Sequence, residues 1–275
     1  MKFKQQAIGM LLVISVGVST RTYAQTTEIE NLFRDSETRA AAGTPGTVDE
    51  ADSVLERFTQ GTRENVARAL PVILHAASDS HVSVRRLAGL ALYGIANRPD
   101  GPALLSTETA TFAALLIDPD IPIRRVTGLA IGNLHLNASS PLMPILETYL
   151  GRQDAVSTTG AGVAGLLMEA APNDAVSTNA VVQFMRRDDQ TSASRGDLLI
   201  AISVAKSRSR EIGKEVAGYA DDPDEQTSIH AIETLQAMGK SAILDNQQSL
   251  SRIAADTNRT PGTRVAAAKA LSAIQ

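Results

Sequence analysis

The chain has 275 residues, 43% hydrophobic and 20% charged, with a formal net charge of −4, no cysteine, no tryptophan and nine aromatics. Neutralising phosphates needs clustered Lys and Arg, so the acidic balance argues against nucleic acid or an anionic membrane as partner, and so few aromatics weaken stacking recognition. Without cysteine there is no disulfide, thiol nucleophile or thiolate metal site, and packing alone must hold the chain together.

Residues 1–24 read as a secretory leader. Lys2 and Lys4 form a positive start, an apolar stretch runs from Ala7 to Val18, and Thr22-Tyr23-Ala24 gives a small-x-small cleavage pattern before Gln25. An apolar run of about 12 residues is short of the ~20 that cross a bilayer, so export with cleavage is expected rather than anchoring. Three cations and no acid leave with the leader, so the charge moves from −4 to −7. No later stretch reaches membrane-spanning length, which predicts a mature protein in a periplasm or outside the cell with no membrane insertion.

Residues 25–47, ending in "AAAGTPGT", read as a flexible or partly helical lead-in. Thr47 to Glu50 resembles a capping box opening a helix through Gln60. Val48, Ala51, Val54, Leu55 and Phe58 would then cover the open end of the first helix pair beyond it.

From residue 63 onward the chain repeats. With Arg85 as anchor, equivalent positions fall at Arg124, Gly160, Arg195, Ser228 and Arg264, at spacings of 39, 36, 35, 33 and 36 residues. A polar turn with an aspartate precedes each anchor: Asp79, Asp118, Asp154, Asp189, Asp222 and Asp256. This period fits two helices and two turns, and no stretch alternates as a strand does. The expected pairs are 63–77 with 82–97, 107–117 with 121–136, 141–151 with 155–171, 176–187 with 191–206, 209–220 with 225–239, and 242–255 with 262–274. The turn aspartates suit the N-cap of each second helix, and Pro71 should kink the first helix.

The stretches DSHVSVRRLAGLAL (79–92), DPDIPIRRVTGLAI (118–131) and TPGTRVAAAKALSAI (260–274) resemble HEAT repeats and the HEAT-like repeats of phycobilisome lyases. The resemblance covers 63–275. It implies an all-α, right-handed α-solenoid of about six two-helix repeats. It further implies that the turn aspartates Asp79, Asp118 and Asp189 and the anchors Arg85, Arg124, Arg195 and Arg264 form a hydrogen-bonded ladder between repeats. Gly160 and Ser228 depart from that pattern.

The second arginine of each doublet has a different place. Arg86 lies about 100° round the helix from Arg85, on a face with Leu90 and Tyr93; Arg125, Leu129 and Gly132 are the next equivalents. Guanidinium beside exposed Leu and Tyr is contact-surface composition, against the plainer reading of a solvated face. "GAGVAG" at 160–165 matches a dinucleotide fingerprint, with Asp188 and Asp189 at about the right distance, but no apolar strand precedes it. Glycines that admit close helix packing are the preferred reading. His75, His81, His135 and His230 lack metalloprotease spacing, and "DDPDE" at 221–225 lacks the glycine and ligand order of a calcium loop. G-x-S-x-G is absent. The sequons at Asn137 and Asn258 matter only in a eukaryotic secretory route.

These features predict a non-catalytic interaction module of a bacterial envelope or exterior, with Arg86, Leu90, Tyr93, Arg125 and Leu129 contacting a protein partner and no cofactor. The alternatives are an enzyme of the phycobilisome-lyase type and a purely structural envelope protein.

Overall fold

The computed structural model describes residues 31–36, 38 and 48–274. The leader at 1–24, Thr47 of the capping box and the side chains of Val48, Glu50 and Ala51 lie outside the described residues. Within the lead-in, residues 31–36 and 38 are helical and bury Phe33 and Ser36. Every regular element among the described residues is a helix, and none is long and apolar enough to cross a membrane. The chain divides into two compact units at Leu115–Leu116.

The first unit contains α1 (Val48–Gln60), α2 (Arg63–Ala76), α3 (Val82–Ala96) and α4 (Gly101–Leu105), with α5 (Thr109–Leu116) ending at the boundary. Small and aliphatic residues leave α3 buried on several sides, at Val84, Leu87, Ala88, Ala91, Leu92 and Ile95 among others. Helices α1, α2 and α4 all pack on it. Val54 and Phe58 of α1 are fully buried, each contributing roughly 1.5–3 kcal/mol. The approach is close because residue 94 is glycine: a Cβ there would stand 3.1 Å from both the Leu55 carbonyl oxygen and Phe58 Cβ. Pro71 lies inside α2 on its exposed side without ending the helix.

The second unit contains α6 (Ile121–Gly132), α7 (Met143–Leu150), α8 (Ser157–Ala170), α9 (Ala175–Met185), α10 (Ser192–Ala205), α11 (Arg210–Tyr219), α12 (Glu225–Met238), α13 (Lys240–Asp245), α14 (Gln247–Ala255) and α15 (Pro261–Ser272). The second helices of the pairs pack side by side in the order α6, α8, α10, α12, α15. The first helices α7, α9 and α11 do the same. Leu146, Val163, Leu167, Val181, Leu198, Ile202, Val216, Ile232 and Leu235 fill the space between these two layers.

Two boundaries differ from the sequence reading. Helix α6 stops at Gly132, four residues early, because Asn133 closes it and His135 adopts φ 50°, a left-handed conformation that no helix continues through. The helix expected over 242–255 is two, α13 and α14, broken at Asn246, whose amide donates to the Ala242 carbonyl at 2.8 Å and competes with the backbone ladder. Helix α4 is an addition to the expected pairs.

Candidate functional site

Every turn between paired helices leaves carbonyls of one helix end and amides of the next start in need of partners. Four of the second helices have side-chain caps, though not the aspartates expected, while α3 and α8 start at His81 and Val156 with no side-chain cap. The capping side chains of α6, α10, α12 and α15 are Asp120, Thr191, Asp224 and Thr260, accepting from the amides of Ile123, Ser194, Thr227 and Thr263. Asp79, Asp118 and Asp222 lie two residues before the cap and accept from the amide two residues on, at 2.6, 2.8 and 2.9 Å. A short carboxylate reaches that amide most easily, so these aspartates form the turn, and after Asp118 and Asp222 a later aspartate caps the helix.

Arginines take the carbonyls. Arg85 Nη1 donates to the Asp79 and Ser80 carbonyls at 2.9 and 3.0 Å. Arg124 Nη1 crosses to the following turn and donates to the Asp154 carbonyl at 2.6 Å, with that carboxylate 4.0 Å away. Arg195 does reach a carboxylate, donating to Asp222 Oδ2 at 2.8 Å while its guanidinium lies 5.8 Å from the Tyr219 ring centre. Asp222 is buried, so the pair is shielded from water. Asp189, expected to meet an anchor arginine, is held instead by Arg187 two residues earlier. Nε of Arg264 is buried with no hydrogen-bond partner.

A second arginine set is equally regular and lies outside the expected ladder. Arg98, Arg152 and Arg187 each grip the aspartate two residues on through Nε and Nη2, one edge of the guanidinium, with Nε–Oδ1 distances of 2.8, 2.8 and 2.9 Å. The neighbouring guanidinium holds Asp100, Asp154 and Asp189 below the usual carboxylate range. Arg98 and Arg187 also reach back one repeat. Arg98 donates to the Phe58, Thr59 and Gly61 carbonyls at the end of α1. Arg187 donates to those of Arg152 and Gln153, both at 2.9 Å. The three consecutive carbonyls of 152–154 are therefore held by Arg187 on one side and Arg124 on the other. At 221–222, Arg195, Arg252 and Arg259 converge on two aspartates. The R-x-D spacing at 98–100, 152–154 and 187–189 is the sequence signal for this set.

Gly160 and Ser228, where the anchor arginine is missing, are filled differently. Ser228 Oγ donates to the Ala220 carbonyl at 2.7 Å. At Gly160 a Cβ would be 2.2 Å from Phe184 Cζ, so an aromatic ring presses against the backbone there. The "GAGVAG" stretch lies wholly within α8. Gly165 faces Ala201 at 3.0 Å, whereas Gly162 is exposed with nothing within 4 Å. Two of the three glycines thus serve packing, and none begins a phosphate loop.

The expected contact residues fall in different units. In the first, Arg86 is exposed on α3 while Leu90 and Tyr93 are half-buried. In the second, Arg125 is exposed on α6 and Leu129 is 59% exposed. Leu129 is not alone on its unit's second-helix layer. Ile200 of α10, at the same register position, is 47% exposed, and Val204 one turn later is 73% exposed. Neither is among the contact residues expected from sequence. Between them α8 presents Gly165 at the register of Leu129 and Ile200, and the exposed, charged Glu169 at that of Val204.

No group of three His, Asp or Glu residues able to hold a metal occurs among the described residues. His81 faces its own turn aspartate, with Nδ1 3.0 Å from Asp79 Oδ1, and "DDPDE" is occupied by arginines and a helix cap.

Set beside solved structures, the chain is an all-α helical repeat protein. It matches the crystal structure of an engineered protein with a TM-score of 0.54 at 17% identity, over 90% of this chain and 68% of that one. A designed armadillo repeat protein aligns at a TM-score of 0.40 and 14% identity, over 90% of this chain and all of that one. Another, in complex with a (KR)4 peptide, aligns at 0.47 and 12% identity, over 90% and 98%. At such identities the likeness concerns the fold alone. No family model matches the sequence, and no curated protein matches it.

Proposed function

We propose that the protein is a non-catalytic protein-interaction module, exported to a bacterial envelope or exterior by its first 24 residues. The observation that carries the interaction is the row Leu129, Ile200 and Val204, three large apolar side chains left exposed on one layer of a unit whose core aliphatics are buried. Covering each would contribute up to roughly 1.5–3 kcal/mol to a complex, and Arg125 stands one turn before Leu129. The turns, by contrast, are committed to holding repeats together. A rigid layered frame with a wet apolar row favours recognition over turnover.

Crosslinking in the native envelope tests this. A protein partner should be recovered in fixed stoichiometry with the wild type and lost with Leu129→Asp plus Val204→Asp, both exposed, without a change in melting. Arg86→Ala plus Arg125→Ala should weaken capture in the same way. Capture indifferent to these changes would refute the reading, and ligand-dependent melting shifts across a metabolite panel would favour an enzyme of the lyase type instead. Export is tested separately: the amino-terminal residue of the mature protein should be Gln25.

A further inference from the structure

The strongest local departure from the chain's acidic character lies elsewhere in the second unit. Residues 206–214, KSRSREIGK, carry four cations and one acid in a protein of net charge −4. They span the turn from α10 into α11. Lys206 ends α10 in a left-handed conformation (φ 50°), and Gly239 (φ 104°) joins α12 directly to α13, which starts at Lys240. Between these two turns opens a groove of about 1000 Å³ lined by Lys206, Arg208, Arg210, Lys214 and Lys240. A second groove of about 720 Å³, lined by Arg186, Arg208, Arg210 and Lys214, lies on the other side of the start of α11.

Ion pairs inside the unit neutralise only part of this charge. Arg210 pairs with Asp245 at 3.1 Å and Arg186 pairs with Glu215. Lys206, Arg208, Lys214 and Lys240 have no ion pair among the described residues. Glu211 is the remaining acid, engaged by the Ser209 hydroxyl at 3.0 Å and held ionised by its own amide and that hydroxyl. Four unpaired cations thus face one carboxylate along two adjoining grooves.

We propose that these grooves bind an acidic, extended segment of a protein partner. The cations are solvated (Arg210 is 82% exposed) and spread over two grooves rather than converging on an enclosed pocket. A small anion touching one or two of them gains little. A chain bearing several carboxylates engages them together, each contact after the first being intramolecular. A long nucleic acid fits less well, because no aromatic side chain lines either groove for stacking and the rest of the chain is acidic. The grooves share no lining residue with the apolar row of Leu129, Ile200 and Val204, although Lys206 follows Val204 by two residues, and the inference rests on the cations alone.

The test uses the full chain and fluorescence anisotropy at low salt, with labelled deca-glutamate as probe. A glycine–serine decapeptide and a ten-nucleotide oligothymidylate serve as comparisons. Deca-glutamate should bind, and binding should weaken at least about tenfold with Arg208→Glu plus Lys214→Glu and be largely screened by 0.5 M salt. Lys269→Glu, an exposed cation on α15, should leave affinity unchanged. Three outcomes would overturn the proposal: no binding of deca-glutamate, equal weakening by Lys269→Glu, or oligothymidylate binding as tightly. All the substituted side chains are exposed, so matching melting curves show that folding is not what changes.

Discussion

Two glycines of one helix, two positions apart, should respond to the same substitution with opposite signs. At Gly160 an added Cβ would stand 2.2 Å from Phe184 Cζ and 2.6 Å from Cε2. Carbon atoms rest ~3.5–4.0 Å apart, so the ring must retreat by more than about 1 Å, and Phe184 is fully buried with little room to do so. Overpacking of this kind costs about 1–3 kcal/mol, against the ~1 kcal/mol that alanine gains over glycine inside a helix. Gly160→Ala should therefore destabilise by up to about 2 kcal/mol. At Gly162 nothing lies within 4 Å of the new methyl, so only the helix preference acts and Gly162→Ala should stabilise by up to ~1 kcal/mol. Urea unfolding of both variants, followed by far-UV circular dichroism, measures the difference at matched conditions. If Gly160→Ala unfolds at the same or a higher urea concentration than Gly162→Ala, the account of residue 160 as a seat for Phe184 is wrong.

Arg195→Ala should lower stability by ~1–3 kcal/mol, because it strips a buried carboxylate, Asp222, of a charged donor. Arg264→Ala removes no side-chain hydrogen bond or ion pair among the described residues, whereas Arg195 holds Asp222 through Nη1, so it should cost clearly less, and equal losses would remove the distinction drawn between the two anchors. The caps Asp174 and Asp224 are held below the ordinary carboxylate range mainly by the amides of Ser177 and Thr227. Their folded pKa lies under the unfolded one, so they stabilise above the unfolded value near ~3.9, and that contribution fades as pH falls through the folded value. In acid titrations below about pH 5, Asp224→Asn should unfold with a shallower pH dependence while keeping a cap at neutral pH. An unchanged slope would mean that Asp224 contributes nothing through its charge.

Much of the architecture is legible without coordinates, since helix periodicity and repeat spacing are local and recur. Five of the six expected pairs lie within four residues of the observed helices. The departures depend on backbone geometry that residue type signals poorly. His135 in a left-handed turn ends α6 early, and Asn246 splits the last first helix. The turn aspartates illustrate a different limit: short carboxylates cap helices and shape turns with the same atoms, and only the position of the first helical amide separates the two. The anchor arginines are visible as a column, but their partners are not, because a guanidinium at the end of a long side chain donates to a carbonyl as readily as to a carboxylate. Arg98, Arg152 and Arg187 escape a search for anchors within the second helices, although their R-x-D spacing is in plain view. So does the row Tyr149, Phe184 and Tyr219, one aromatic every 35 residues near the ends of α7, α9 and α11. Leu129 is legible as an exposed residue, whereas Ile200 and Val204 look like core until the helix faces are known.

The turn at 152–154, clamped by Arg187 from the repeat after it and by Arg124 from the repeat before, bears on how the second unit opens. Stacked repeats whose interfaces are apolar alone tend to fray one at a time, each junction failing separately. Here three consecutive carbonyls are shared between two neighbours, so neither can come away without breaking charge-assisted bonds to a turn that the other still holds. Hydrogen exchange across α7, α8 and α9 should accordingly reveal one shared opening energy in place of a staircase.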